Sequence, residues 1–289
     1  MEIYIENEHI KASFAAKGAE LQRITGVDSG TEYLWNGDPD YWPKFSPVLF
    51  PIVGALKENS YEFDGKTYSL PRHGFARDME FEVDKISELE ILFTLKSTPE
   101  TQEVYPFDFI LGLRYKMSGA SVCCTYEVSN PSDQELLFSI GGHPAFAAPL
   151  NKQGTYTDYF LQFNADEELT YHEIEDNLIS NETVTLNLED KKLYLKHDLF
   201  YKDALVFKNL KSTSISLMNT KTYNGINFKF ENFPYFGIWA AKDANFICLE
   251  PWCGIADSVA HHQQLKDKEG IVVLAPKEKW QRTWQVTCF

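Results

Sequence analysis

The chain is as telling for what it lacks as for what it contains. No run of ~18 apolar residues occurs in its 289 positions, so no segment is expected to span a membrane as a helix. Positive charge is scarce: 27 Lys and Arg stand against 42 Asp and Glu, a formal net charge of −15. With no basic stretch to track phosphates, nucleic-acid binding is excluded as an expectation. Cysteines are few and ill-spaced. Cys123, Cys124, Cys248, Cys253 and Cys288 are odd in number, two are adjacent, and no CxxC pair exists. Neither a disulfide framework nor a thiolate zinc site is indicated. The start, Met1-Glu2-Ile3-Tyr4, lacks the basic and apolar regions of a signal peptide, so the expected location is the reducing cytoplasm. There is no GxSxG elbow, P-loop or dinucleotide glycine fingerprint, and no HxxxH or HExxH ligand pair. Those gaps weigh against serine hydrolases, kinases and dehydrogenases, and lead to an expectation of no cofactor and no metal.

What the chain does have is aromatics and short strands. It carries 21 Phe, 15 Tyr and 6 Trp, enough for a thick core between sheets or for stacking against sugars. Apolar and polar residues alternate in short runs from Glu2–Glu6 to Trp280–Val286, broken by Asn, Gly, Asp and Ser. Such texture predicts an all-β chain, a sandwich or barrel. Tyr61 to Leu70 reads as a hairpin, with Asp64-Gly65 supplying a type I′ turn. One helix is expected, over Ala256–Leu265, and Asp38 to Trp42 reads as a turn opening a short helix. Pro47 and Pro51 make Phe45 to Ile52 an irregular segment. No linker or repeat divides residues 1–289, which are read as a single domain.

Chemistry concentrates in three places. In Cys248-Leu249-Glu250-Pro251-Trp252-Cys253-Gly254, Pro251 and Gly254 are expected to stop a strand just after Glu250. A carboxylate among apolar and aromatic neighbours is costly unless paired or used. Gly141-Gly142-His143-Pro144 places an imidazole at the end of an apolar strand, and Arg72-His73-Gly74-Phe75-Ala76-Arg77 holds a histidine between two arginines. Each has a plain structural alternative: a histidine bonded in a turn, a carboxylate bonded to backbone amides. Asp203 could simply cap a strand.

Taken together, these residues are similar to the aldose 1-epimerase (galactose mutarotase) family, in its LacX-like branch. The likeness runs nearly the whole length: Gly18-Ala19-Glu20-Leu21, Glu32-Tyr33-Leu34-Trp35, Pro47 to Gly54, the Asp64 to Tyr68 hairpin, His73 to Arg77, Gly142 to Phe146, Asp203-Ala204-Leu205 and Glu250 to Gly254. The resemblance implies a large antiparallel β-sandwich of two sheets with few short helices, and a sugar cleft across one sheet. It implies Glu250 as general base, His143 as general acid, His73 as second active-site histidine and Asp203 as a ligand of sugar hydroxyls. Where the family carries an arginine after Val-Gly, this chain has Ala55. Lys57 and Arg77 are the candidates to replace it, and Trp35, Trp42, Phe75 or Trp252 to stack on the sugar.

The chemistry asks for such groups. A pyranose opens when a base removes the anomeric hydroxyl proton while an acid protonates the ring oxygen. Glu250 as carboxylate and His143 as imidazolium, facing each other across a ring-sized gap, would suffice, each charge favouring the other. The implied partner is a monosaccharide, an aldohexose such as galactose or glucose, free or phosphorylated, handled by a monomer or homodimer. The alternatives are a non-catalytic sugar-binding protein on the same scaffold and a hexose-6-phosphate epimerase in which Lys44, Arg72 and Arg77 hold phosphate. A glycosidase with paired carboxylates fits less well, because Glu250 has only Asp203 as partner.

Overall fold

Alternating burial generates the architecture. Every second residue is buried along much of Glu90–Lys96 and Ser121–Ser129, the period-two pattern of strands with one face on a core. A computed structural model describes residues 2–152 and 154–289, and these form two large antiparallel sheets. The nine-stranded sheet runs Lys192–Tyr194, Tyr159–Phe163, Ser214–Asn219, Ile226–Lys229, Lys279–Cys288, Ser121–Ser129, Ile110–Ser118, Glu90–Lys96 and Glu82–Ser87. The eight-stranded sheet runs Leu178–Asn187, Glu168–Glu175, Leu205–Phe207, Tyr235–Trp239, Phe246–Cys253, Ile140–Gly142 and Val48–Leu49, with Ala145–Ala147 also on Phe246–Cys253. Aromatic rings join the two. Phe228 of the first sheet lies 5.8 Å from Phe146 and 6.3 Å from Phe236 of the second, burying large apolar areas between them. Among the described residues no helix is long and apolar enough to cross a membrane.

Phe246–Cys253 lies deep in the eight-stranded sheet, and all eight of its residues are buried. Ile247 and Leu249 join the inter-sheet core, while Glu250 and Trp252 line a cavity on the other face. The strand does not stop at Pro251, as the sequence had led us to expect. On one side Pro251 pairs with Phe236; on the other, the neighbouring strand is itself broken between Ile140–Gly142 and Ala145–Ala147. A proline, which lacks an N–H, is tolerated where the ladder is interrupted.

The Asp64-Gly65 hairpin forms as expected, with both turn residues at positive φ, 49° and 72°. No α-helix forms over Ala256–Leu265; a 3₁₀ turn covers Leu265–Asp267 instead. Backbone and side-chain bonds of Asp257 to Ala55, Lys57 and Lys268 hold the start of this segment, and a turn closed by His261 N–H on Ser258 O follows. Nor does a helix follow Asp38, which closes a turn by accepting from the N–H of Tyr41 and Trp42. Pro99–Val104 is α-helical. Thr98 caps it in a reciprocal box with Thr101, and Pro99 occupies the first helical position, where its missing N–H costs nothing.

Candidate active site

Register alone brings the two central side chains together. Ile140 pairs with Cys253 and Ala145 with Cys248, so the interrupted strand sets His143 directly opposite Glu250. Directly opposed residues of an antiparallel pair carry their side chains on one face at close range. His143 Nε2 accordingly lies 3.2 Å from Glu250 Oε2. The residues are 8% and 1% exposed, which is why their charges are governed by desolvation. The break is itself well held: His143 N–H donates to Pro47 O, and Leu249 N–H donates to Pro144 O. On the far side Glu250 pairs with Gly237, where an added Cβ would fall 2.5 Å from the Trp252 ring. Glycine at this position leaves the Trp252 ring its place.

His73 arrives from a separate loop and is clamped to Gly54. Its N–H donates to Gly54 O at 2.8 Å, and Gly54 N–H donates to His73 Nδ1 at 3.1 Å. His73 adopts φ 70°, a left-handed conformation that costs a non-glycine residue about 1–3 kcal/mol and tends to mark functional sites. Arg72 Nε–H donates to His73 Nε2 at 3.2 Å. A neutral ring has one N–H and so accepts at one nitrogen only, which makes the Gly54 and Arg72 bonds alternatives that belong to its two tautomers. The His73 and His143 ring centroids are 5.9 Å apart, edge to face.

These groups share a cavity of about 470 Å³ with Arg77, Asp203 and Trp252. Arg72 lies 3.7 Å from Asp203 and donates to Asn177 Oδ1 at 2.9 Å. Arg77 donates to Arg72 O and lies 3.7 Å from Asp78. Lys57 is not brought to the cavity: its Nζ donates to Val259 O and its N–H to Asp257 Oδ2. Ala55 is buried beside it, and the guanidiniums of Arg72 and Arg77 are the ones at the site. Of the four aromatic candidates, Trp42 and Trp252 line the cavity; Trp35 and Phe75 do not. Trp35 instead supports Trp42, donating from Nε1 to its carbonyl. Trp239 went unnoticed in the sequence, yet its ring lies 5.6 Å from His143 and Trp42 lies 4.9 Å away. No local signal marks Trp239; it lines the site because its strand pairs with Phe246–Cys253.

Burial pushes the Glu250 carboxyl well above its ordinary range; Arg72 pulls it back and Asp203 pushes it further up. Burial likewise holds His143 down to about 3, helped by Arg72 and Arg77. His73 is lowered by burial first, then by Arg72, His143 and Arg77. Burial thus works against the charged form of both members of the pair, and so against the ion pair expected from the sequence.

A stability consequence follows for Glu250. Its folded-state pKa lies above the unfolded value, so its contribution is present below about 4.5 and is lost as pH rises through the folded value. Glu250→Gln has no charge to bury. Its melting temperature should exceed that of wild type by a margin that widens from pH 5 to pH 8, each kcal/mol amounting to roughly 2–4 °C for a chain of this size. Scanning calorimetry across that range checks this, and a margin independent of pH would contradict it. The depressed histidines act in the opposite sense, their contribution being lost as pH falls below 6.5, for His143 down to about 3.

Comparison with known proteins places this geometry in context. The family model described as aldose 1-epimerase matches residues 1–287. The plasmid-borne protein LacX of Lactococcus lactis subsp. lactis is 32% identical over 297 aligned positions, covering 99% of each chain. A galactose mutarotase related enzyme from Lactobacillus acidophilus superposes with a TM-score of 0.95 at 33% identity, covering 100% of this chain and 97% of that one. A galactose mutarotase-like protein from Lactobacillus casei ATCC 334 gives 0.91 at 28%, with full coverage of both.

Proposed function

The chain belongs to the aldose 1-epimerase family, and from that premise we propose that it interconverts the α and β anomers of a free aldose by ring opening and reclosure at Glu250 and His143. The observation that carries the proposal is the 3.2 Å contact between Glu250 and His143 inside the cavity. The anomeric oxygen O1 and the ring oxygen O5 are bonded to the same carbon. A donor and an acceptor that address both must be close neighbours, so direct contact serves better than the ring-wide gap anticipated from the sequence.

The proton count closes on this pair. Sugar hydroxyls entering the cavity replace part of the lost solvent, and Arg72 favours the ionised Glu250; both promote transfer of the shared proton to His143. Glu250 then takes the O1 proton, the C1=O1 bond forms as C1–O5 breaks, and His143 delivers its proton to O5. This leaves protonated Glu250 and neutral His143, the very pair that burial stabilises. Rotation about C1–C2 and the reverse transfers give the other anomer and restore the start. His73 and Arg72 hold hydroxyls, Asp203 accepts from them, and Trp42, Trp239 or Trp252 offers a flat face.

A free sugar suits the cavity better than a phosphate ester. Each cation lining it already has a carboxylate: Arg72 with Asp203, Arg77 with Asp78, and Lys202 with Glu173. Polarimetry of freshly dissolved galactose, glucose, their 6-phosphates and common pentoses tests the reading, with a free hexose expected to equilibrate fastest. Sugar binding by calorimetry with anomerisation left at the uncatalysed rate would replace it with a purely binding role. Arg72→Ala should lower kcat/KM by roughly 10–150-fold, the equivalent of one charged hydrogen bond of about 1.5–3 kcal/mol. An unchanged kcat/KM would remove Arg72 from the site.

A further inference from the structure

Helical ligand spacings are missing from the sequence, but strands make their own. Cys248 and Glu250 stand two apart on Phe246–Cys253, so their side chains leave the same face. His143 reaches that face from the neighbouring strand, with Nε2 3.2 Å from Glu250 Oε2. Among the described residues, this is where three metal-ligating side chains converge. One donor atom each from His143, Cys248 and Glu250 lies within 4.8 Å of the other two. All three residues are buried, Cys248 completely.

On a tetrahedral zinc ion with bonds of about 2.0–2.3 Å, neighbouring donors stand about 3.4–3.6 Å apart. The His143–Glu250 separation is already close to that. A thiol within 4.8 Å of both closes the remaining gap by a small side-chain rotation. The donors also select the ion. Imidazole, carboxylate and thiolate together suit a borderline-soft cation such as zinc or cobalt(II), whereas magnesium and calcium take oxygen ligands. There is a way in, because His143 and Glu250 line the cavity. A fourth position would open on that cavity, for water or a sugar hydroxyl. Buried His143 Nδ1, moreover, has no hydrogen-bond partner, so the protein leaves part of this imidazole's bonding capacity unused.

We propose that His143, Cys248 and Glu250 form a site for one zinc-like divalent cation, entered from the cavity, and that the bound ion arrests the reaction. It does so by occupying the lone pairs through which Glu250 and His143 pass protons. Binding makes three metal–ligand bonds and expels the thiol proton, together with the Glu250 proton where that is present. The site itself is independent of the mutarotase reading; only the arrest rests on it.

The experiment uses the whole chain, stripped of metal with a chelator that is then removed. Zinc chloride is titrated by calorimetry and cobalt chloride by absorption, with magnesium and calcium as hard-ion controls. One zinc should bind per chain, cobalt should show the sulfur-to-metal charge-transfer band of a thiolate ligand, and the hard ions should not compete. Cys248→Ala and Cys248→Ser should each abolish the band. Both, and Glu250→Gln, should weaken zinc binding about tenfold or more, about 1.4 kcal/mol. Cys123→Ser, at a partly exposed thiol, should leave band and affinity unchanged. In polarimetry zinc should stop sugar equilibration and a chelator restore it. Each Cys248 variant, measured against its own metal-free rate, should need about tenfold more zinc. Absence of binding, a cobalt complex without the band, or a band that survives loss of Cys248 overturns the site. If neither Cys248 variant folds, Glu250→Gln decides, and an unchanged zinc affinity there overturns it too. Zinc bound without effect on the rate overturns the arrest. Should no sugar be accelerated, the mutarotase reading falls, while the titrations and the band still decide the site.

Discussion

Glu250→Gln is expected to lower kcat for anomer interconversion by roughly 10²–10⁴-fold, the usual contribution of one positioned proton transfer. KM should stay within about threefold, because the amide keeps the shape and most of the bonding of the carboxyl while losing the transferable proton. His143→Gln should fall by a similar factor. The more revealing measurement is the double variant. In the proposed mechanism Glu250 and His143, 3.2 Å apart, pass one proton between them and so act as a unit, and groups acting as a unit are strongly non-additive. Glu250→Gln/His143→Gln should be about as slow as either single variant, not slower by the product of the two factors. Polarimetry, or exchange between anomer resonances in NMR, reads all three. A double variant slowed by the full product would mean two independent roles, and near-wild-type activity in Glu250→Gln would dismiss the carboxyl as a proton carrier.

The second large effect lies behind the cavity and concerns stability. Lys268 and Asp257 have no exposed side-chain surface, and Nζ donates to Oδ1 at 2.8 Å. The other carboxylate oxygen accepts from Lys57 N–H, and the Asp257 backbone bonds Ala55 and Ile179. One residue thus ties the Ala55 turn, the start of Leu178–Asn187 and the loop after Phe246–Cys253. Burial already draws the Lys268 pKa below its ordinary value, with Asp257 the main opposing influence. Asp257→Ala strands that ammonium without a partner and should cost about 3–5 kcal/mol in urea unfolding. Asp257→Ala/Lys268→Met should recover a large part of the loss, since apolar groups often replace a buried ion pair at little cost. A loss in the double variant equal to that in Asp257→Ala would show that the backbone ties, and not the stranded charge, dominate. Val53-Gly54-Ala55 also carries the clamp on His73, so the single variant should lose activity in step with its looser fold.

Much of this molecule is legible in one dimension. Alternating apolar and polar residues, Asn, Gly and Asp breaks and an Asp64-Gly65 turn are local properties of the chain, and they sufficed to predict an all-β chain, a sandwich or barrel; the choice of sandwich came from the family resemblance. The glycine-rich or proline-stopped contexts of Glu250, His143 and His73 likewise singled out those residues, because a polar group in an apolar setting is conspicuous wherever the chain goes. Local pattern failed at Ala256–Leu265, where helical spacing yielded to the long-range bonds of Asp257, and at Pro251, whose tolerance depends on a gap in a strand more than a hundred residues earlier. Lys57 and Arg77 were both candidate cations by sequence; the path of each loop turned one toward Val259 and the other into the cavity. The candidates for the reactive groups could therefore be named from the sequence. Their register and their burial were decided only by folding, because pairing and desolvation are set by residues distant in the chain.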